Sequence, residues 1–230
     1  MKLSAEQIEK LYDFTRLHYV EYYDLQSELV DHLANAIEEQ WIVNPKLSFE
    51  EALRVEFKKF GVFGFMEVVE KRQAALNKKY NKMVLRELKT FFSIPKIMAT
   101  FSGIGLVYYV VKSFQESFEI MSWLIGILVV IFIIGLFISS QMRKKETAKT
   151  GKKWLLKEII FGYSSKAGMM NILVQFAING SHSSYPEWLL GLFSFLFVLL
   201  LLTEYIVLVL IPSKAASYLQ QTYPEYEMMQ

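Results

Sequence analysis

The chain contains no cysteine among its 230 residues. That excludes disulfides, thiolate metal sites and cysteine nucleophiles. It also lacks the short motifs of common enzyme classes. There is no His-Glu-x-x-His pair, no Gly-x-Ser-x-Gly elbow and no phosphate-binding Walker loop. Gly103-Ile104-Gly105 has no third glycine, and Ala99 with Gly103 reads as a small-xxx-small packing pair. The chain therefore reads as a non-enzyme with no cofactor and no metal. Charge is missing too, and locally: residues 121–141 carry no ionisable side chain across 21 positions. Such a run reaches about 30 Å as a helix, enough to cross a bilayer core. The opening MKLSAEQIEKLYDF has no apolar stretch of the kind a cleaved signal peptide needs.

What is present is sharply segregated. Residues 1–70 hold 14 Asp/Glu against 7 Lys/Arg, whereas residues 71–96 hold 8 Lys/Arg against the single Glu87. An acidic module is thus followed by a basic collar of the kind that suits an anionic cytoplasmic leaflet. Nucleic acid is not an expected partner of the acidic module.

Within the module, Ser4 with Gln7 and Ser48 with Glu51 fit capping boxes that open a first and a third helix. Ile8, Leu11, Thr15 and His18 line the first. The second runs from about Tyr22 to Ile42 on a stripe of Tyr22, Leu25, Leu29, Leu33, Ala36 and Ile37. Glu21, Asp24, Glu28, Asp31, Asn35 and Glu38 fall on its other face, which reads as solvated. Glu28 and His32 stand at a metal-compatible spacing, but an acidic face with a boundary histidine accounts for both. Phe49, Leu53, Phe57 and Phe60 face inward on the third helix, and Gly61 stops it. Seventy residues make a thin core, so this domain is expected to lean on something else.

A fourth helix over 64–92 carries Leu76, Tyr80, Val84, Leu88 and Phe91 at helical spacing, surrounded by Lys78, Lys79, Lys82, Arg86 and Lys89. A basic amphipathic helix of this kind lies on a membrane surface; the alternative is a connecting helix packed on the soluble domain. Ser93 and Pro95 read as the start of a new helix.

Four spans are expected, at about 95–112, 120–141, 159–179 and 188–211. Arg143, Lys144, Lys145, Lys149, Lys152, Lys153 and Lys157 crowd the connection between the second and third, and the other two connections have no Lys or Arg. The positive-inside rule then puts both termini in the cytoplasm. Trp123, Tyr185 and Trp188 fit an outer aromatic belt and Trp154 an inner one. Asn179-Gly180-Ser181 matches a glycosylation sequon, a pattern short enough to arise by chance. The tail from Ser213 reads as loosely ordered. Ionisable groups inside spans carry a cost of a few kcal/mol, so Lys166 and Glu204, with Asn171 and Gln175, are the candidate intramembrane residues. Lys166 and Glu204 fall at one depth and could pair. Alternatively Lys166 snorkels to the headgroups and Glu204 meets a lysine of the 143–157 connection.

Tyr22 to Gly61, with Asp24-Leu25-Gln26-Ser27-Glu28-Leu29-Val30-Asp31-His32-Leu33, then Ser48-Phe49-Glu50-Glu51-Ala52 and Phe60-Gly61, resembles the HAAS-type N-terminal domain of bacterial membrane proteins. It is also similar to the prefix domain that precedes some permeases. The resemblance implies a cytosolic helical module ahead of several spans. Its frequent association with PadR-like regulators implies signalling or regulation. It supplies no catalytic residue.

The expected architecture is all-α: a cytosolic acidic domain over 1–70, a basic linker helix over 71–94, a four-helix transmembrane bundle over 95–212 and a cytosolic tail over 213–230. The expected setting is the bacterial inner membrane. The expected role is regulatory, through a protein partner or self-association, with anionic lipids of the inner leaflet beside Lys78, Lys79, Lys82, Arg86, Lys89, Arg143, Lys144 and Lys145. The rival role is a small transporter or transporter accessory subunit.

Overall fold

The computed structural model describes residues 2–114, 117–162 and 185–223, with the side chains of 146, 147, 149 and 150 left aside. The regular structure among these residues is all helix, with no strand among them.

The first three helices form as the local signals dictate. Ser4 and Ser48 each accept the amide of the residue three positions on, and Gln7 and Glu51 reach back, so α1 (Ala5–Leu17) and α3 (Phe49–Lys58) both start in complete capping boxes. Between them, α2 runs Tyr23–Val43. Gly61 and Gly64 adopt positive φ after α3, a conformation that glycine takes without a steric penalty. Then α4 (Met66–Thr90) begins, followed by α5 (Lys96–Ser113), whose cap is Pro95 rather than Ser93.

Helix α6 covers Ser117–Thr150, 34 residues. At 1.5 Å per residue that is about 51 Å, well beyond an apolar bilayer core of about 30 Å. The basic turn Arg143–Lys145 is therefore part of a helix that continues past its apolar run, not of a loop. Only residues 151–154 separate α6 from α7 (Leu155–Gly162). Helix α8 (Glu187–Tyr205) passes into a π-helical turn (Ile206–Leu210), a short turn (Ile211–Ser213) and α9 (Ala215–Thr222). Pro212 explains the π turn: it has no amide to donate and its ring crowds the carbonyl four residues back, so the helix widens ahead of it.

Two segments, Ser117–Lys145 and Glu187–Ser213, are long and apolar enough to cross a membrane. Most of their surface is uncovered by protein. Trp123, at 71% exposure, and Trp188 stand open at the same ends of α6 and α8 as Phe118 and Tyr185. Helix α5 runs antiparallel to α8, with Lys112 Nζ 2.7 Å from the Glu187 carboxylate at one end. Most of the expected third span, and with it Lys166, Asn171, Gln175 and the sequon, lies outside the described residues. Its described start does not face lipid, since Ile159, Ile160 and Phe161 are buried in the core of the acidic domain.

That core is where the expectations change most. Leu11, Leu25, Leu33 and Ile37 of the acidic domain belong to one continuous cluster with Leu76 and Tyr80 of α4, Leu155 and Ile160 of α7, and Leu219 of α9. The domain does lean on something: the near ends of the later helices. Helix α4 runs alongside the C-terminal segment. Phe91 meets Tyr205 edge-on, Glu87 accepts from Lys214 Nζ at 3.0 Å, and Lys79 Nζ donates to the Thr222 hydroxyl at 2.8 Å. Because Tyr205, Lys214 and Thr222 follow the axis of a candidate span outward, α4 stands off the bundle as a stalk. Its apolar side is covered by protein, with Leu76, Tyr80 and Met83 buried. The tail differs too: α9 is packed through Ala215 and Leu219.

Candidate functional site

The most developed polar arrangement is where α2 meets α7. A helix N-terminus carries amides with no intrahelical partner, and α2 begins at Tyr22, which provides no side-chain cap. The Tyr23 amide donates instead to the Lys153 carbonyl at 2.7 Å. In return the Leu155 amide, first in α7, donates to Asp24 Oδ1 at 3.0 Å. The two helix starts cap one another, and one carboxylate serves the positive ends of both. Asp24 is only 6% exposed, which corrects its assignment to a solvated face.

Aromatic rings close the joint. Trp154, 3% exposed, lies 5.4 Å from both Tyr23 and Tyr223, so it is a core residue here and not part of an inner membrane belt. Lys152 Nζ sits 3.7 Å above the Tyr23 ring, a cation–π contact. The Tyr223 hydroxyl is buried beside the Asp24 carboxylate and the Arg72 guanidinium, with no hydrogen-bond partner among the described residues. Burial pushes the Asp24 carboxyl up from its ordinary value, against the hydrogen bond from the Leu155 amide that lowers it. Burial also pushes the Tyr223 hydroxyl up, reinforced by the neighbouring carboxylate. On the outside of the joint, Lys153 Nζ pairs with Glu21 at 2.9 Å, a contact that holds the ammonium above its usual value. Arg143 pairs with Glu158 at 2.5 Å.

The predicted basic residues divide accordingly. Lys78, Lys79, Lys82, Arg86 and Lys89 are all exposed on the α4 stalk, Lys79 on the Thr222 hydroxyl. Arg143 is half-buried in its ion pair, and Lys144 and Lys145 are exposed on α6. Glu28 lies 3.6 Å from Arg72, and the His32 ring packs edge-on to Phe60, so the two point to different neighbours. No group of three or more potential metal ligands occurs among the described residues.

A second arrangement lies in α8. Glu204 is 9% exposed, and neither carboxylate oxygen has a hydrogen-bond partner among the described residues. No lysine of the 143–157 connection pairs with it among the described residues, and Lys166 lies outside them. Glu204 stands two residues before the first residue of the π turn. There Leu208 presses against Gly135 of α6 so closely that a Cβ at that glycine would collide. The sequence marks Glu204 by its charge, but not the widened turn beside it.

The acidic domain also presents apolar side chains to solvent. Leu17 and Tyr19 after α1, and Val62 and Phe63 between the two glycines, are all largely exposed. Both turns flank the Phe57 ring, which lies 4.4 Å from the His18 ring in a tilted contact and touches the Gly64 position.

Comparison with models of protein families, with curated proteins and with solved structures finds no match.

Proposed function

We propose that this chain is a multi-pass protein of the bacterial inner membrane, with four spans and both termini in the cytosol. We infer a regulatory or signalling role in which the cytosolic helical domain binds a protein partner. The observation that carries this reading is the joint between α2 and α7. It attaches the acidic domain to the near end of the bundle through amide caps, one carboxylate and ion pairs, in addition to apolar packing. Polar contacts of this kind exchange with water or a competitor at modest net cost, about 0.5–1.5 kcal/mol each. They suit an element that docks and releases. The exposed Leu17, Tyr19, Val62 and Phe63 support a protein partner, since clustered apolar side chains on a charged domain mark an interaction face.

The test exploits the absence of native cysteine. With Glu21→Cys and Lys153→Cys, the full chain in membranes is expected to form a disulfide in the resting state and to lose it when partner is bound. A disulfide yield that no partner, salt or lipid condition alters would end the regulatory reading. Reporters at the C-terminus and within 143–157 are expected on the cytosolic side, and those at 181–185 outside.

The alternative, a small transporter or transporter accessory subunit, is favoured by Glu204, a buried carboxylate beside a widened helical turn. Glu204→Cys labelled by a hydrophilic maleimide in intact membranes would support that role. Complete protection would remove it.

A further inference from the structure

A cavity of about 520 Å³ opens between α6, the start of α7 and the start of α2. Its walls carry Arg143, Lys144 and Lys153 against Glu21 and Glu158, with Tyr22 between them. Two of the cations are already occupied, Lys153 by Glu21 and Arg143 by Glu158. Lys144 has no ion-pair partner among the described residues, so the lining holds one cation more than its carboxylates balance. A larger neighbouring cavity of about 770 Å³ lacks such a residue. There Arg16 pairs with Asp13, Lys152 lies on the Tyr23 ring and Lys153 is the same shared lysine.

Place matters as much as charge. The apolar run of α6 ends at Gln141, and Arg143 follows two residues later, about 3 Å further along the helix axis. The cavity therefore opens where a bilayer presents its headgroup phosphates. Arg brings a planar fork and Lys a point charge, the combination that recognises phosphate oxygens. Both paired carboxylates come from elements of the joint, Glu21 from the entry to α2 and Glu158 from α7.

We propose that this cavity binds a phosphate-bearing anion, held by Arg143, Lys144 and Lys153, in competition with the Glu21 carboxylate. The anion is a lipid headgroup or a free phosphate, and the two share the same recognition. Binding frees Glu21 from Lys153 and so loosens the attachment of the acidic domain, a consequence that rests on the regulatory reading above.

The experiment uses the full chain in phosphatidylcholine nanodiscs, with an environment-sensitive fluorophore on Ala148→Cys, an exposed cavity position. One arm raises the phosphatidylglycerol content; the other adds inorganic phosphate against chloride at equal ionic strength. A saturable signal in the first arm alone identifies a headgroup, and in the second a free anion. Either supports the proposal. Arg143→Gln and Lys144→Gln are expected to raise the half-saturation point about tenfold each, the loss of one charge-assisted contact. Glu21→Gln is expected to lower it by removing the competitor. Lys82→Gln removes the same charge from the α4 surface and is expected to change nothing. Absence of saturation in both arms, or an equal effect of Lys82→Gln and Lys144→Gln, overturns the proposal. Lys144 is exposed, so its variant remains informative if Arg143→Gln fails to fold. Spin labels on Glu39→Cys and Lys145→Cys read docking separately. Saturable binding at an unchanged distance upholds the cavity and removes its regulatory consequence. A distance that changes with partner but never with either phosphate source, with no saturation, overturns the cavity alone.

Discussion

Helices α2 and α6 solve opposite problems. In α2 the apolar side chains are hidden, with Leu25, Leu29, Leu33 and Ile37 at or below 4% exposure, and its charged groups other than Asp24 face outward. In α6 the apolar side chains face outward, with Ile127, Val130, Ile133, Ile134 and Phe137 all more than half exposed. A helix that is apolar all round has no reason to leave that surface open in water. The same hydrophobic effect thus closes one region and leaves the other open, and the open one contains the two segments long and apolar enough to cross a membrane. Between them, α4, the far end of α6, α7 and α9 form a stalk that obeys the rules of α2. This is why the thin acidic domain needs its neighbours.

The strongest way to break this comparison is to put a charge into the closed side. Leu29→Asp is expected to cost more than about 4 kcal/mol and unfold the shared core, read as lost helical signal from that region and rapid proteolysis. Retained protease resistance would mean that the shared core does not hold the domain. Next in size is Trp154→Ala, at about 3–5 kcal/mol, because it removes the ring packed between Tyr23 and Tyr223. Thermal melting should fall, and the Glu21–Lys153 cysteine pair should cross-link less. In the open region the tightest point is Gly135 against Leu208. Gly135→Leu is expected to cost about 1–3 kcal/mol in detergent melting by forcing α6 and α8 apart. The same change at Gly126, where an added Cβ meets nothing within 4 Å among the described residues, should be nearly silent.

Asp24 sharpens the joint itself. Asp24→Leu leaves the Leu155 amide without its acceptor and is expected to cost about 1–3 kcal/mol. Its pH dependence has a definite sign. Burial raises the folded-state carboxyl above the ordinary value of 3.8, so the folded protein binds the proton more tightly than the unfolded chain. This group's contribution is therefore greatest below that ordinary value and declines as pH rises to the elevated one. Asp24→Asn keeps an acceptor oxygen and should flatten that part of the stability–pH curve, measured by melting across the acidic range. The smallest effect is expected from Glu28→Ala. Its contact with Arg72 is long and more than half exposed, so the change should stay within about 0.5 kcal/mol.

Much of the acidic domain's fold is legible in the sequence because its signals are local. A capping box needs only residues three apart, so Ser4–Gln7 and Ser48–Glu51 are identifiable from their spacing alone. Gly61 as a stop and the helical stripe of α4 are equally local. What covers that stripe is not. Leu76 and Tyr80 have the same spacing whether lipid or protein lies over them, and the cover is α7 and α9. The reach of α6 escapes a hydropathy reading for a related reason: the apolar run ends at Gln141, but helix propensity continues through the basic turn to Thr150.

By itself, the sequence determined that the acidic domain and α4 are helical, where two of those helices begin, and which runs are most apolar. These follow from contacts three or four residues apart and from side-chain transfer energies. Tertiary structure alone decided what Asp24, Trp154 and Tyr223 do. An orphan amide at a helix start requires an acceptor but does not specify one. Here the Leu155 amide finds its acceptor 131 residues away, because packing brings the two helix starts together.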